Sequence, residues 1–459
     1  MSTDHPTTPH AEPPSEGVGI SLEARPERRL VRPTGGHRHV VFTLAAGAAP
    51  STVERPPLVV ALVLDRSGSM HGEPLQTAKR SALAVVDQLT PADRVALVVF
   101  DDQIDTITPL AAVTPTVKAR LRASLTGVEA RGSTALHEGW LTGCQALAAG
   151  AGDPDAHQVT RCFLLTDGQA NVGQTDPERI ASEAAGIRAN AGVSTSTLGF
   201  GANYDELLLG PLAVAGGGQF HHLRTPDEIE TALAGELGDL LNVAALRVRL
   251  EIGAGAGMTC DVVSAYATSE GHSASARQSA RDGRDGYPAR WSLAIGDLLS
   301  GGEREVVVRF GFPEVDRAYT YTVRARVVWS DAAGEHAGDW SDVRFTSGSH
   351  AQCDEERRDP AVMHWVGLAH ADRARLVALD LRAKGEDDRA SAVLVEVARR
   401  IEEYANNDPD LIAAVAELRD LAVRVEHRRL HALEAKEAYF SSQRHSRGQK
   451  DYRDRSGQI

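Results

Sequence analysis

Residues 58–70 read LVVALVLDRSGSM. The unbroken apolar run from Val59 to Leu64 ends on Asp65, and Ser67 and Ser69 follow at alternate positions around Gly68. A continuous Val/Leu run of this length predicts a strand buried on both faces, as in the middle of a parallel sheet. Ligand sites of such sheets lie beyond the carboxyl ends of the strands. There Asp65, Ser67 and Ser69 place one carboxylate and two hydroxyls on a glycine-containing turn. These hard oxygen donors suit a small cation such as Mg²⁺.

On either side of this strand the pattern alternates strand and helix from residue 58 to about 242. Apolar periods predict helices over residues 74–89, 117–125, 135–149, 176–189, 204–214 and 226–241. Between them lie strands over 94–100, 104–108, 159–166, 193–199 and 219–223, the second of these being a hairpin mate of the first. This order predicts an α/β unit, a Rossmann-like, doubly wound, mostly parallel sheet covered by helices on both faces.

Beyond residue 242 the strands alternate apolar and polar residues, which predicts a β-sandwich with wet outer faces. Two N-terminal segments of strand character, residues 19–24 and 39–44, need partners and are expected to complete it. A Ser-, Arg- and Gly-rich stretch over 268–286 reads as a mobile loop. Residues 360–384, 387–404 and 408–440 carry helical periods and predict a C-terminal helical bundle. The expected division is 1–17 disordered, 18–55 strands joining the sandwich, 56–243 the α/β domain, 244–348 the β-sandwich, 349–442 the bundle, and 443–459 a flexible tail.

At 459 residues the chain needs several cores. Its apolar and charged fractions, 42% and 24%, are those of an ordinary globular protein, and its net charge of −14 argues against a nucleic-acid binder. Four scattered cysteines give neither a zinc knuckle nor a disulfide framework. No leader or membrane-length apolar run is legible, so a cytoplasmic protein without membrane insertion is expected.

Two further segments complete the oxygen set. Arg131-Gly132-Ser133-Thr134 leads into the helix predicted from Ala135, and Thr166-Asp167-Gly168 ends the strand over 159–166. Taken with Asp65, Ser67 and Ser69, Thr134 and Asp167 resemble the metal-ion-dependent adhesion site of the von Willebrand factor type A family, with every motif position filled. The resemblance covers about residues 56–242. The order of regions looks like a bacterial group in which this domain is joined to a β-sandwich and a helical region, distantly like inter-alpha-trypsin inhibitor heavy chains.

The resemblance implies that Asp65, Ser67, Ser69, Thr134 and Asp167 hold Mg²⁺, with Mn²⁺ or Ca²⁺ as substitutes. It also implies one coordination position left for an Asp or Glu of a partner protein. The expected function is therefore non-enzymatic, Mg²⁺-dependent protein binding. The alternatives are an adaptor for a separate MoxR- or chelatase-type ATPase, and a metal-dependent hydrolase. Against the hydrolase, the motif loops carry only Arg66 and Arg131 as cations.

Other motifs read as ordinary structure. Asp101 and Asp102 fit a solvated hairpin turn. His221-His222, and His427 with His431 at helical i, i+4 spacing, fit surface histidines lacking a third ligand. His137-Glu138 begins a zinc-protease pattern that fails at Leu141. Gly216-Gly217-Gly218 is a turn, and Arg357-Arg358 and Arg428-Arg429 fit solvated helix faces.

Overall fold

The structure is a computed structural model that describes residues 19–47, 55–150, 158–225, 227–270, 287, 289–331, 334–427 and 430–449. The expectations for residues 1–18, for most of the stretch 268–286, for Arg428-Arg429 and for residues 450–459 fall outside the described residues.

Strands β1 (Ile20–Pro26), β2 (Leu30–Val31) and β3 (Gly36–Ala46) come first. The α/β domain then runs β4 (Leu58–Asp65), α1 (Glu73–Gln88), β5 (Arg94–Phe100), β6 (Ile104–Ala112), α2 (Pro115–Thr126) and α3 (Leu136–Gly150). It continues β7 (Val159–Thr166), α4 (Pro177–Ala191), β8 (Ser194–Phe200), α5 (Glu206–Ala215), β9 (Gly217–Leu223) and α6 (Glu228–Leu241). The sheet order is β6-β5-β4-β7-β8-β9, parallel except for β6.

Every residue of β4 is buried, because β5 and β7 flank it and helices close both faces. One of these, α3, approaches closely through Gly139, which faces the Phe100 ring, and Gly143, which faces Val63. A methyl at either position would collide with the sheet.

Two sheets follow, antiparallel except where β2 runs parallel to β17, built with β10 (Val243–Ala254), β11 (Thr259–Val262), β12 (Ala267–Glu270), β13 (Ala289–Leu299), β14 (Glu303–Phe312), β15 (Thr320–Asp331), β16 (Gly334–Ala337) and β17 (Ser341–Ser347). One sheet has the order β1-β3-β14-β11. The other is β12-β13-β10-β15-β17-β2, with β16 beside β15. Their inner faces share one core that includes Phe42, Leu250, Phe310, Val323 and Phe345. β3 lies between β1 and β14, in register from Ala45 opposite Glu303 to Gly36 opposite Phe312.

Helices α7 (His350–Glu355), α8 (Pro360–Ala383), α9 (Asp387–Ala405), α10 (Pro409–Glu426) and α11 (Ala432–Ser446) end the chain. α4, α8 and α10 start alike: Asp176, Asp359 and Asp408 accept free first-turn amides, and each is followed by proline, which has no amide to satisfy. Among the described residues no helix is long and apolar enough to cross a membrane.

Several expectations are corrected. The helical period over 408–440 is two helices, so His427 caps the end of α10 and His431 precedes α11. They are not an i, i+4 pair on one helix. Arg357-Arg358 lies on the link between α7 and α8 rather than on a helix. The expected flexible tail is ordered at its start: α11 runs to Ser446, and Arg447, 4% exposed, donates to the Gly218 carbonyl at 2.8 Å. The Arg447 carbonyl accepts the Tyr266 hydroxyl at 3.0 Å, so this segment is wedged between α/β domain and sandwich.

Candidate metal centre

β4 delivers Asp65 at its carboxyl end, fully buried. The chain then turns, and the Ser67 amide donates to Asp65 Oδ1 at 2.7 Å. A short 3-10 turn over Gly68–Met70 carries Ser69 to the surface, with buried Met70 anchoring it. The Ser67 and Ser69 hydroxyls are 3.1 Å apart, and Ser69 Oγ donates to Asp167 Oδ1 at 2.7 Å. Asp167 is the first residue after β7, the neighbour of β4 in the sheet.

Thr134 arrives from a different kind of segment than Asp65 and Asp167. Its loop follows helix α2, not a parallel strand. Gly132, at φ +68°, lets it turn beside Asp102, and the Gly68 amide donates to the Gly132 carbonyl at 3.2 Å. The Thr134 amide donates to Asn171 Oδ1 at 2.8 Å, while the Asn171 amide returns to the Thr134 carbonyl.

The donors converge around Gly168. A Cβ at that position would stand 3.3 Å from Thr134 Oγ1, 3.6 Å from Ser69 Oγ and 3.8 Å from Asp65 Oδ2. Glycine keeps this space open. Asp65, Ser67, Ser69, Thr134 and Asp167 thus lie together at one edge of the sheet, Ser69 at the rim and the other four buried.

The electrostatics of the cluster are one-sided. Burial pushes the Asp65 carboxyl up to about 6 against hydrogen bonds from Thr166 and Ser67, and the charge of Asp167 adds to the rise. Burial raises Asp167 as well, opposed by Ser69. The two arginines of the motif loops do not offset these charges. Arg66 donates to Asp101 at 3.0 Å and to Asp105 at 2.5 Å, and Arg131 donates to Asp101 at 2.7 Å. Two carboxylates and three hydroxyls without a basic side chain among them fit a hard divalent cation.

Sequence reasoning missed three participants. Thr166, beside Asp167, donates to Asp65 Oδ2 at 2.5 Å and fixes that carboxylate. Asn171 holds Thr134. Asp101, expected as part of a solvated turn, is closed to solvent. Burial works to raise its pKa, but hydrogen bonds from Arg131, the Gln103 amide and Arg66 hold it below the ordinary value. Asp102 is exposed, as that turn required.

His221 and His222 are corrected too, since both are buried. His221 Nε2 pairs with Glu236 of α6 at 2.7 Å, and His222 Nδ1 meets the Tyr204 hydroxyl at 2.6 Å. α11 covers β9 through Tyr439 and Phe440, whose rings lie 5.9 and 6.1 Å from Phe220. The edge strand is therefore not open to water.

Residues 60–234 match the family model of the von Willebrand factor type A domain. This stretch is a von Willebrand factor type A domain. Such domains typically mediate contacts between proteins. Over 183 residues the chain is 32% identical to an uncharacterized protein of Synechocystis sp., covering 40% of this chain and 41% of that one. Over 176 residues it is 30% identical to inter-alpha-trypsin inhibitor heavy chain H4 of Bos taurus, covering 37% of this chain and 19% of the relative. The chain thus spans less than half the length of these relatives, and the likeness is that of the type A domain. A solved structure of a von Willebrand factor type A protein from Catenulispora acidiphila, 20% identical, superposes with a TM-score of 0.67 over 89% of this chain and 91% of that one. That likeness is one of fold, and it extends past the type A domain into the surrounding strands and helices.

Proposed function

We propose that the protein is a non-catalytic, Mg²⁺-dependent binding module. Asp65, Ser67, Ser69, Thr134 and Asp167 would hold the ion, and the partner protein would present an Asp or Glu side chain to it. The observation that carries this reading is the meeting of Asp65, Ser69 and Thr134 around Gly168, with Ser67 and Asp167 hydrogen-bonded to Ser69 and with Arg66 and Arg131 turned onto Asp101 instead. Mn²⁺ or Ca²⁺, also oxygen-seeking, could substitute for Mg²⁺.

When bound, the ion would supply an electron-poor position that attracts a carboxylate. The chain's own contribution is to pre-organise the donors. Thr166 and the Ser67 amide orient Asp65, and Ser69 orients Asp167. Asn171 fixes the loop that carries Thr134. Exposed Ser69 leaves the rim accessible to a partner.

Calorimetric titration with Mg²⁺ tests the reading directly. The wild-type chain should bind the ion, whereas Asp65→Ala and Thr134→Ala should not while keeping a native circular dichroism spectrum. Binding unchanged in both variants would sink the proposal. A partner should then be captured in Mg²⁺ and released by chelator.

A further inference from the structure

We infer that the cleft between the sandwich and the helical bundle binds a small amphipathic anion, a phosphate or carboxylate head on an aromatic or aliphatic body. This cavity of about 310 Å³ lies away from the type A domain, between β3 and β14 on one side and α8 and α9 on the other. Its volume is in the range that accepts a small-molecule ligand.

The charge in the cleft is opposite to that of the protein. In a chain of net charge −14, the lining includes Arg28, Arg38, Arg309, Arg358 and Arg400 against Glu27 and Glu403. Some of these are already matched outside the cleft: Arg309 pairs with Asp261 at 2.9 Å, Arg400 with Glu396 at 2.7 Å, and Glu403 with Arg399 at 2.5 Å. Arg28, Arg38 and Arg358 then face a single carboxylate, Glu27, which stands 4.0 Å from Arg358 and accepts the His39 amide at 3.1 Å. Glu356, also near Arg38, is taken up by the amides of Arg29 and Leu30 at 2.7 and 2.9 Å.

Donors are left over. Arg38 gives Nε to the Leu30 carbonyl and Nη1 to the His37 carbonyl, and Arg28 gives Nη1 to the Cys353 carbonyl. Among the described residues the buried Arg28 Nε has no hydrogen-bond partner, and neither Arg28 nor Arg38 makes an ion pair. Burial pulls the Arg38 pKa down and the neighbouring Arg28 charge adds to the fall, against Glu27 and Glu356. Two guanidiniums on a half-buried wall that face one carboxylate, and make no ion pair with it, would gain from a further anion, and their planar forks match a phosphate or carboxylate.

The remainder of the cleft sets the body of the ligand. Met363, Val366 and Ile401 are buried apolar side chains along its floor, and the Tyr404 ring lies beneath Arg358, 5.6 Å from the guanidinium carbon. The His39 and His370 rings meet edge to face, Nε2 to Nε2 at 3.1 Å. Burial, with His39 nearby, holds His370 down at about 4, so the cations that His370 adjoins in the cleft are the arginines.

The test is a thermal-shift and calorimetric titration of the full chain with adenosine monophosphate, octanoate, inorganic phosphate and octylammonium. At least one of the first two should bind, with phosphate alone weaker by about tenfold or more and octylammonium inert. Preference for the nucleotide would assign a phosphate head, and preference for octanoate a carboxylate head. Arg28→Gln and Arg38→Gln should each weaken binding by about tenfold, the worth of one charge-assisted hydrogen bond. Arg419→Gln, on the outer face of the bundle, should not. Arg358→Gln, on an exposed side chain, gives the same readout if the buried variants fold poorly. Failure of both anions to bind, or equal binding by the cleft variants and Arg419→Gln, would overturn the inference.

Discussion

The carboxylate of Asp101, closed to solvent at the end of β5, accepts Arg66 Nε at 3.0 Å. Arg66 belongs to the turn that carries Ser67, and Arg131, which donates to the same oxygen, belongs to the loop that carries Thr134. Asp101 therefore ties together two of the three segments that supply the oxygen cluster. Its replacement by Asn removes one of the two carboxylates that hold Arg66, 6% exposed, and leaves Asp105 as the other. Losing a charge-assisted hydrogen bond of this kind costs about 1.5–3 kcal/mol, so urea unfolding of Asp101→Asn should show a loss near that size together with weaker Mg²⁺ binding. Unchanged stability would show that the pair does not hold the loops.

Metal removal has a thermal signature. If the oxygen cluster holds Mg²⁺, the melting temperature of the wild-type chain should rise with added Mg²⁺ and fall in chelator. A ligand that binds only the folded state at about 100-fold over its Kd stabilises by about 2.7 kcal/mol. Ser69→Ala and Asp167→Ala should lose this response. A shift that persists in both would place the ion elsewhere.

Asp93 gives a pH prediction far from the cluster. Burial works to raise its pKa, but Arg55 at 2.7 Å and the amides of Leu58 and Thr90 hold it well below the ordinary carboxylate value. A carboxyl with a lowered folded-state pKa adds stability that is present above its unfolded value, near about 4, and is lost as pH falls toward the folded value. Asp93→Asn should accordingly be less stable than wild type at pH 7, with the gap narrowing below about pH 4. A pH-independent gap would contradict this.

Arg161 tests the seam between type A domain and sandwich. From β7 it reaches Asp297 of β13 at 3.2 Å and Ser196 at 3.3 Å, and lies 3.7 Å from Glu236. Arg161→Met would remove the Asp297 contact and leave buried Glu236 to His221 and Ser196, loosening the seam for a loss of about 1.5–3 kcal/mol. Limited proteolysis should then cut between the two units faster than in wild type.

The pairing of β3 with β14 predicts unequal fragments. Residues 56–243 retain their whole sheet and should unfold cooperatively alone. Residues 244–348 lack β3, leaving the apolar strand β14 with an open edge, and should aggregate unless residues 18–55 are supplied. A soluble, cooperatively unfolding fragment 244–348 would refute this.

How much of this was legible depends on where the partners of each residue come from. β4 was plain because a strand buried on both faces leaves no polar alternation. Thr134 and Asp167 were found through the spacing they share with a known family. Thr166 went unnoticed because a threonine at a strand end is unremarkable until its hydroxyl is seen on Asp65. Asp101 reads as a turn residue from its neighbours alone, since its arginines lie 35 and 30 positions away.

His221-His222 reads as a surface pair for want of a third ligand in the sequence, whereas α6 buries His221 through Glu236 and α11 covers the Phe220 face of β9. The break between α10 and α11 carries no proline or glycine in HRRLH, so the period ran on across it. Arg447 gave no sign of burial, because its place is made by Gly218 and Tyr266, both distant in sequence.

The register of β3 against β14 also bears on how the chain is made. The whole type A domain is translated between the two strands. At about 5–20 residues per second, β3 leaves the ribosome on the order of ten seconds or more before its mate exists. For that interval β1 and β3 form at most a two-stranded ribbon, too small to be stable, with the alternating apolar face of HVVFTL exposed. The type A domain, whose contacts are complete much sooner, can fold while its neighbour waits. A nascent chain arrested before residue 303 should therefore present a folded domain beside an unprotected segment, a natural substrate for a chaperone during synthesis.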